Sequence, residues 1–316
     1  MTLPEIVRPS YASQVYGAEL APNTREAYRK GWERFERWCA DEGVHPLRAS
    51  DEDVSRWLIH LAAIGGLHPG SIGIYRSAVN KSYEIHGLSS PVKSPLVRAT
   101  MRIVRRDYWQ RSHAVEALRD HHVAKMISLC PSSLIGYRDA AILAIGFSCA
   151  LRRSELIGLA VQDVRFLDDE EEDSHSKMIV TVRQSKTDQS GAGQSIPVID
   201  GNKIRPITRL RRWLDRAEIA EGRIFRTMKR GGRVQSSGLH PSDVPRLIKH
   251  YAQLAGLDPG VFSGHSLRAG FVTSAAAHRV RPDKIMSITR HTSLDMVLKY
   301  TRDADLFDAH AGESFL

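Results

Sequence analysis

The sequence predicts a mainly α protein of two domains: an N-terminal helical bundle, then a C-terminal mixed α/β domain that is mostly helical with a small β-hairpin. Three observations predict it. Apolar residues recur at helical spacing through most of the first hundred positions. Only Met178–Val182 and Ser195–Ile199 read as strands, and they flank the turn-forming stretch DQSGAG. The chain has 316 residues, which at roughly 100–200 residues per domain suggests two.

Residues 1–22 are polar, contain Pro4, Pro9 and Pro22, and read as a flexible N-terminus. A helix is expected from Asn23, with Asn23 and Glu26 in the pattern of a capping box. Its apolar stripe is Tyr28, Trp32, Phe35 and Trp38. A second helix follows Ser50, with Val54, Trp57, Leu58 and Leu61 turned to a core. Gly65, Gly66, Pro69 and Gly70 mark a turn, and a third helix is expected from Ser71 with Ile72, Tyr75, Val79 and Tyr83 on one face. A fourth, residues 95–108, is dense in Arg98, Arg102, Arg105 and Arg106. Residues 23–108 thus form a bundle of four or five helices, and 109–114 a linker. Residues 115–316 form the second domain. There Ala140–Ala150 is an apolar helix, the hairpin follows with a long tip, and helices run from about Arg205 to the end.

The net charge of +9 and pI of about 9.6 favour a polyanionic partner. Both halves are net basic, the second despite an acidic run at Asp168–Asp173 that reads as a solvated loop. No apolar run approaches the roughly 20 residues a membrane helix needs. The start, MTLPEIVRPS, lacks a secretory pattern. The three cysteines are widely spaced and read as reduced thiols, with no disulfide framework and no zinc motif. A cytoplasmic protein without metal or cofactor is expected.

Four short segments carry chemistry: ALRRSEL (150–156), QSKTD with Lys186, GHSLR (264–268) and RHTSLDMVLKY (290–300). In their order and spacing they resemble the catalytic boxes of the tyrosine recombinase (phage integrase) family, which implies cleavage of a phosphodiester. Such a group is anionic and resists attack by an oxygen nucleophile, so its cleavage needs charge neutralisation on the non-bridging oxygens. Guanidinium groups suit this because each presents a planar fork of donors. Arg152 and Arg268 are candidates for that clamp, with His291 adding a hydrogen bond. Tyr300 is the candidate nucleophile; a phenol with a pKa of about 10 needs a base or cationic surroundings. His265, three residues before Arg268 on an expected helix, is the candidate base. Lys186 is the candidate general acid for the leaving 5′-hydroxyl, preferred over Lys177 and Lys203 because it starts the turn. Glu155, three residues after Arg152, is placed to orient Arg152 or His265.

The resemblance of these segments covers about 150 residues. The first helical region resembles the core-binding domain, a SAM-like bundle, of the simple Cre-type and Xer-type members. By resemblance, Arg152, Lys186, His265, Arg268, His291 and Tyr300 fall on the family's catalytic positions and Glu155 on its acidic one. Two positions depart from the pattern. Ala150 stands where a glycine is usual, at a position read as needing only a small residue. Arg290 stands where a glycine precedes the second histidine, and its charge faces either the phosphate or solvent.

The resemblance implies cleavage and rejoining of DNA strands through a 3′-phosphotyrosyl intermediate, in integration, excision, inversion or resolution. It implies double-stranded DNA carrying a specific site as partner, gripped by both domains, and a homo-tetramer on two sites. Candidate DNA-reading residues are Ser71, Arg76 and Lys81 on the third helix, Arg105 and Arg106 near the linker, and Ser242 and Arg246 in the second domain. The tail 304–316 carries Leu306, Phe307, Phe315 and Leu316, and can dock on a neighbouring subunit or on its own domain. With about 22 residues before the first helix, no separate arm-binding domain is expected. A type IB topoisomerase-like enzyme and a non-catalytic DNA-binding protein of the same fold remain alternatives; neither synapsis in the first nor a nucleophile in the second would be needed.

Overall fold

The computed structural model describes residues 20–108, 116–167, 176–183, 193–229, 231–291 and 293–298. The chain divides into two compact units, Met1–Ser112 and His113–Leu316. The structure is mainly helical with small antiparallel sheets. No described helix is long and apolar enough to cross a membrane.

The first unit holds α1 (Pro22–Asp41), α2 (Asp51–Ala63), α3 (Pro69–Ile85) and α4 (Pro95–Asp107). Phe35, Trp38, Val54, Trp57, Leu58, Ile72, Val79 and Tyr83 are buried together, as their spacing predicts. Phe35 and Trp57 meet with ring centroids 4.8 Å apart. Two N-termini differ from expectation. Asn23 caps nothing, because Pro22 takes the first helical position and Ala21 the cap. A proline's missing N–H costs nothing there. Glu26 instead bonds Arg29 at 2.7 Å. Likewise α3 begins at Pro69, capped by the His68 ring, so Pro69 and Gly70 open the helix instead of preceding it. Ser50 does form a capping box, with Asp53.

The second unit holds α5 (Asp120–Ser128), α6 (Leu134–Ser148), α7 (Arg153–Gly158), β1 (Val164–Leu167), β2 (Lys177–Val182), β3 (Gln194–Ile199), α8 (Pro206–Arg216), β4 (Arg226–Met228), β5 (Val234–Gly238), α9 (Asp243–Leu254), α10 (Ser266–Ala277) and α11 (Pro282–Thr289). The apolar helix starts earlier than its composition suggests, at Leu134, and ends before Ala150. Residues 140–145 of α6 are all buried, so other elements cover it on every side. The expected hairpin is β2–β3, paired from Lys177 with Ile199 to Val182 with Gln194. A third strand, β1, extends that sheet, and a second hairpin, β4–β5, interrupts the helices expected after Arg205. Both were hidden by length and polarity: Arg226–Met228 is three residues, and Val234–Gly238 is mostly polar. Trp213 on α8 donates its indole N–H to the Ile224 carbonyl at 2.9 Å, which anchors the approach to β4. Tyr251 on α9 donates to Asp139 on α6 at 3.1 Å, and Arg138 closes that group on Asp139 at 2.8 Å. The hairpin tip, the acidic run, the stretch 109–115 and the tail lie outside the described residues.

Candidate active site

The site is assembled on three helix ends. At the first, α6 stops in a Schellman motif: the Ala150 N–H reaches the Phe147 carbonyl at 2.9 Å and the Leu151 N–H the Gly146 carbonyl at 3.2 Å. Ala150 sits there at φ 46°, the left-handed region. The usual glycine therefore answers a backbone demand as well as a steric one, which corrects the reading that small size alone suffices. The reversal delivers Arg152 as the N-cap of α7. Glu155 then folds back on it. Its Oε2 accepts the Arg152 backbone N–H at 2.8 Å and its Oε1 accepts Arg152 Nη1 at 2.7 Å. Glu155 is buried; Arg152 keeps about a quarter of its side chain exposed.

The second end is the N-terminus of α10. Arg268 lies in its first turn, 2% exposed, and donates Nη1 to the Ala150 carbonyl at 2.7 Å. This bond ties α10 to the reversal that carries Arg152. His265 is the N-cap, not a member of the helix, and its edge is open to solvent. The expected shared helical face therefore becomes a cap beside a first turn.

The third end is the C-terminus of α11. Thr289 is fully buried, and its hydroxyl meets His291 Nδ1 at 2.8 Å. Arg290, the C-cap, adopts φ 59°. Its Nη2 donates to Glu155 Oε2 at 2.7 Å, with both side chains 3% exposed. Of the two alternatives expected for Arg290, solvent is ruled out: its charge is buried against Glu155. Val297, in the segment leading to Tyr300, packs on Val272 of α10 and Ile285 of α11.

The electrostatics follow from crowding cations in a shielded place. Burial pushes the His291 pKa down to about 4, reinforced by Arg268, Arg152, His265 and Arg290. Partial burial lowers that of His265 as well, followed by Arg268 and Arg152. Both rings are therefore neutral at pH 7 and gain a proton only below the ordinary histidine value of 6.5. Imidazole titration by NMR is expected to give midpoints below 6.5 for both, with Arg152→Ala or Arg268→Ala moving them up. A midpoint at or above 6.5 in the wild type would contradict the shielding.

Arg152, Glu155, His265, Arg268 and His291 thus converge, whereas Lys186 and Tyr300 lie outside the described residues. Among the DNA-reading candidates, Arg76 and Lys81 line one groove of about 600 Å³ with Tyr28, Asn80 and Arg98. Ser71 does not line it. Arg105 and Arg106 are exposed at the end of α4, Arg106 bonded to Asp107 at 2.5 Å. Ser242 stands at the N-cap position of α9 without a side-chain capping bond and meets the His240 ring at 2.7 Å, while Arg246 is held by Asp243. The sequence reading missed Thr289. A threonine two residues before a histidine is a faint signal, because its value depends on a helix end that turns both side chains inward. Among the described residues, no three His, Cys, Asp or Glu side chains are grouped to hold a metal ion.

Two arginine forks and two neutral histidines around one spot define a site suited to a phosphate ester that is attacked and released. The fold bearing it is that of two-domain DNA strand-transfer enzymes. Residues 116–306 match the phage integrase family, and the chain belongs to that family. It is 34% identical over 298 residues to an integrase/recombinase xerD homolog of Selenomonas ruminantium, covering 92% of this chain and 84% of that one. It is 25% identical over 287 residues to the recombinase cre of Escherichia phage P1, covering 85% and 80%. Among solved structures, a lambda integrase dimer bound to a COC′ core site superposes with a TM-score of 0.62 at 17% identity, covering 93% of each chain. XerH bound to palindromic difH superposes at 0.59 and 14% identity, covering 82% of this chain and 70% of that one. At those identities the two superpositions carry the fold alone.

Proposed function

We propose that this protein is a site-specific tyrosine recombinase in which Tyr300 attacks a DNA phosphate, displaces the 5′-oxygen and holds the strand as a 3′-phosphotyrosyl ester until it is rejoined. The observation that carries the residue assignments is the convergence of Arg152, Arg268, His265 and His291 from three segments distant in sequence. Arg152 and Arg268 neutralise the non-bridging oxygens as phosphorus becomes five-coordinate. His265, kept neutral beside the two arginines, accepts the Tyr300 proton. Thr289 is bonded to His291 Nδ1; with the hydroxyl as donor, the ring carries its proton on Nε2 and offers it to a phosphate oxygen. Lys186 returns a proton to the leaving 5′-oxygen. Rejoining reverses each transfer. Double-stranded DNA is the partner, read by the basic groove of the first unit and the N-terminus of α9. The working assembly is a tetramer on two sites, with the tail 304–316 docking on a neighbouring subunit.

The test is a covalent adduct on a denaturing gel, formed without added metal on duplexes from the flanks of the protein's own gene. Wild type is expected to give a DNA-linked band and Tyr300→Phe none. A band that persists in the variant would assign the nucleophile to another residue. Tight specific binding with no adduct would point to a DNA-binding protein.

A further inference from the structure

Arg290 is held at some cost. A left-handed φ of 59° disfavours any residue with a Cβ. The backbone here suits glycine, so the arginine is not there for the backbone's sake. Nor is its side chain placed for stability alone. It is almost wholly buried, and its Nε and Nη1 have no hydrogen-bond partner among the described residues. Buried donors left unmade destabilise a fold. Arg290 does one thing well, which is to bond Glu155 Oε2 at 2.7 Å.

That bond changes what Glu155 can do. Its two oxygens already take the Arg152 guanidinium and the Arg152 backbone N–H. With Arg290 added, the carboxylate is fixed from both sides, and the fork of Arg152 is fixed with it. The charge balance changes too. Against Arg152 alone, Glu155 cancels one of the two cations that face a phosphate. With Arg290 present, three guanidiniums stand against one carboxylate, and both histidines are neutral. The described site then carries a net charge of about +2, which matches the two negative charges of a phosphodiester once a phenolate has made it five-coordinate.

Resting on the recombinase reading above, we propose that Arg290 is a positioning residue for strand cleavage: through Glu155 it orients Arg152 and offsets the carboxylate that would otherwise neutralise it. Glycine and lysine variants separate this role from a structural one. Arg290→Gly removes the guanidinium and also relieves the backbone. Arg290→Lys keeps one charge and the backbone penalty.

The experiment measures single-turnover adduct formation, affinity by gel shift and thermal unfolding, on a duplex from the flanks of the gene that wild type binds specifically. Arg290→Gly is expected to slow adduct formation about ten- to hundred-fold, the scale set by small misplacements in an active site, with DNA affinity changed by less than about threefold. Arg290→Lys is expected to fall between glycine and wild type, although its backbone remains strained. Wild-type cleavage by Arg290→Gly, or lysine no better than glycine, would overturn the proposal. If glycine lowers the unfolding temperature enough to blur the rate, the order of lysine and wild type at a temperature where both are folded decides. No adduct from wild type would overturn the reading beneath, and that result is visible in its own lane.

Discussion

Arg268→Ala is expected to slow strand cleavage by about 10³-fold or more, while leaving DNA affinity within about tenfold; removal of a single uncharged donor to a developing oxyanion already costs about 10²–10³. Arg268 offers a charged fork in a shielded place, where each bond counts for more than in water. Its Nη1 is anchored on the Ala150 carbonyl, and the bond joins the reversal that carries Arg152 to the first turn of α10. On the proposed mechanism, truncation removes a ligand to phosphate, and it also frees the Ala150 carbonyl beside Arg152. Arg268→Lys should recover little, because a lysine cannot hold the carbonyl and fork a phosphate together. Single-turnover adduct formation and gel-shift affinity on one duplex check this. A cleavage rate within about tenfold of wild type would remove Arg268 from the phosphate clamp.

Gly270→Ala is expected to destabilise the second unit by about 3 kcal/mol or more, which for about 200 residues corresponds to about 6–12 °C in Tm. A Cβ at Gly270 would lie 1.8 Å from the Leu118 carbonyl oxygen and 2.4 Å from its carbon. These are backbone atoms and cannot swing aside. The segment before α5 is laced to its surroundings at three points: Glu116 N–H to Val261 O at 2.9 Å, Leu118 N–H to Ser266 O at 3.0 Å, and Asp120 N–H to Ser274 Oγ at 2.9 Å. A methyl group between the strands of that lacing breaks the Leu118 bond and tilts the helix that bears Arg268. Gly73→Ala is the matched comparison. Nothing lies within 4 Å of its added Cβ, so the same change on α3 should be neutral or stabilise by up to about 1 kcal/mol. Thermal unfolding of both variants checks the contrast, and equal Tm shifts would contradict it.

Much of this protein was legible in its sequence. The buried stripes of α1, α2 and α3 follow from the helical period. The Ser50 capping box and the β2–β3 hairpin follow from local residue chemistry. The segments bearing Arg152, Glu155, His265, Arg268 and His291 were legible by their order and spacing, and these five side chains do come together. Less was legible where local signals competed. Pro22 and Pro69 displaced the expected caps by taking the first helical position themselves.

The remainder was decided by the tertiary structure. Arg290 meets Glu155 across 135 residues, and Arg268 meets the Ala150 carbonyl across 118. Nothing near Arg290 in the sequence indicates whether its charge faces solvent or a buried carboxylate. Ala150 and Gly270 likewise look like ordinary small residues until the chain reversal and the Leu118 carbonyl are in place. The physical reason is one of range. Helical periodicity, caps and turns act over three or four residues and are written locally, whereas the pairing of buried charges and the close approach of backbones depend on which helix ends the packed core brings together.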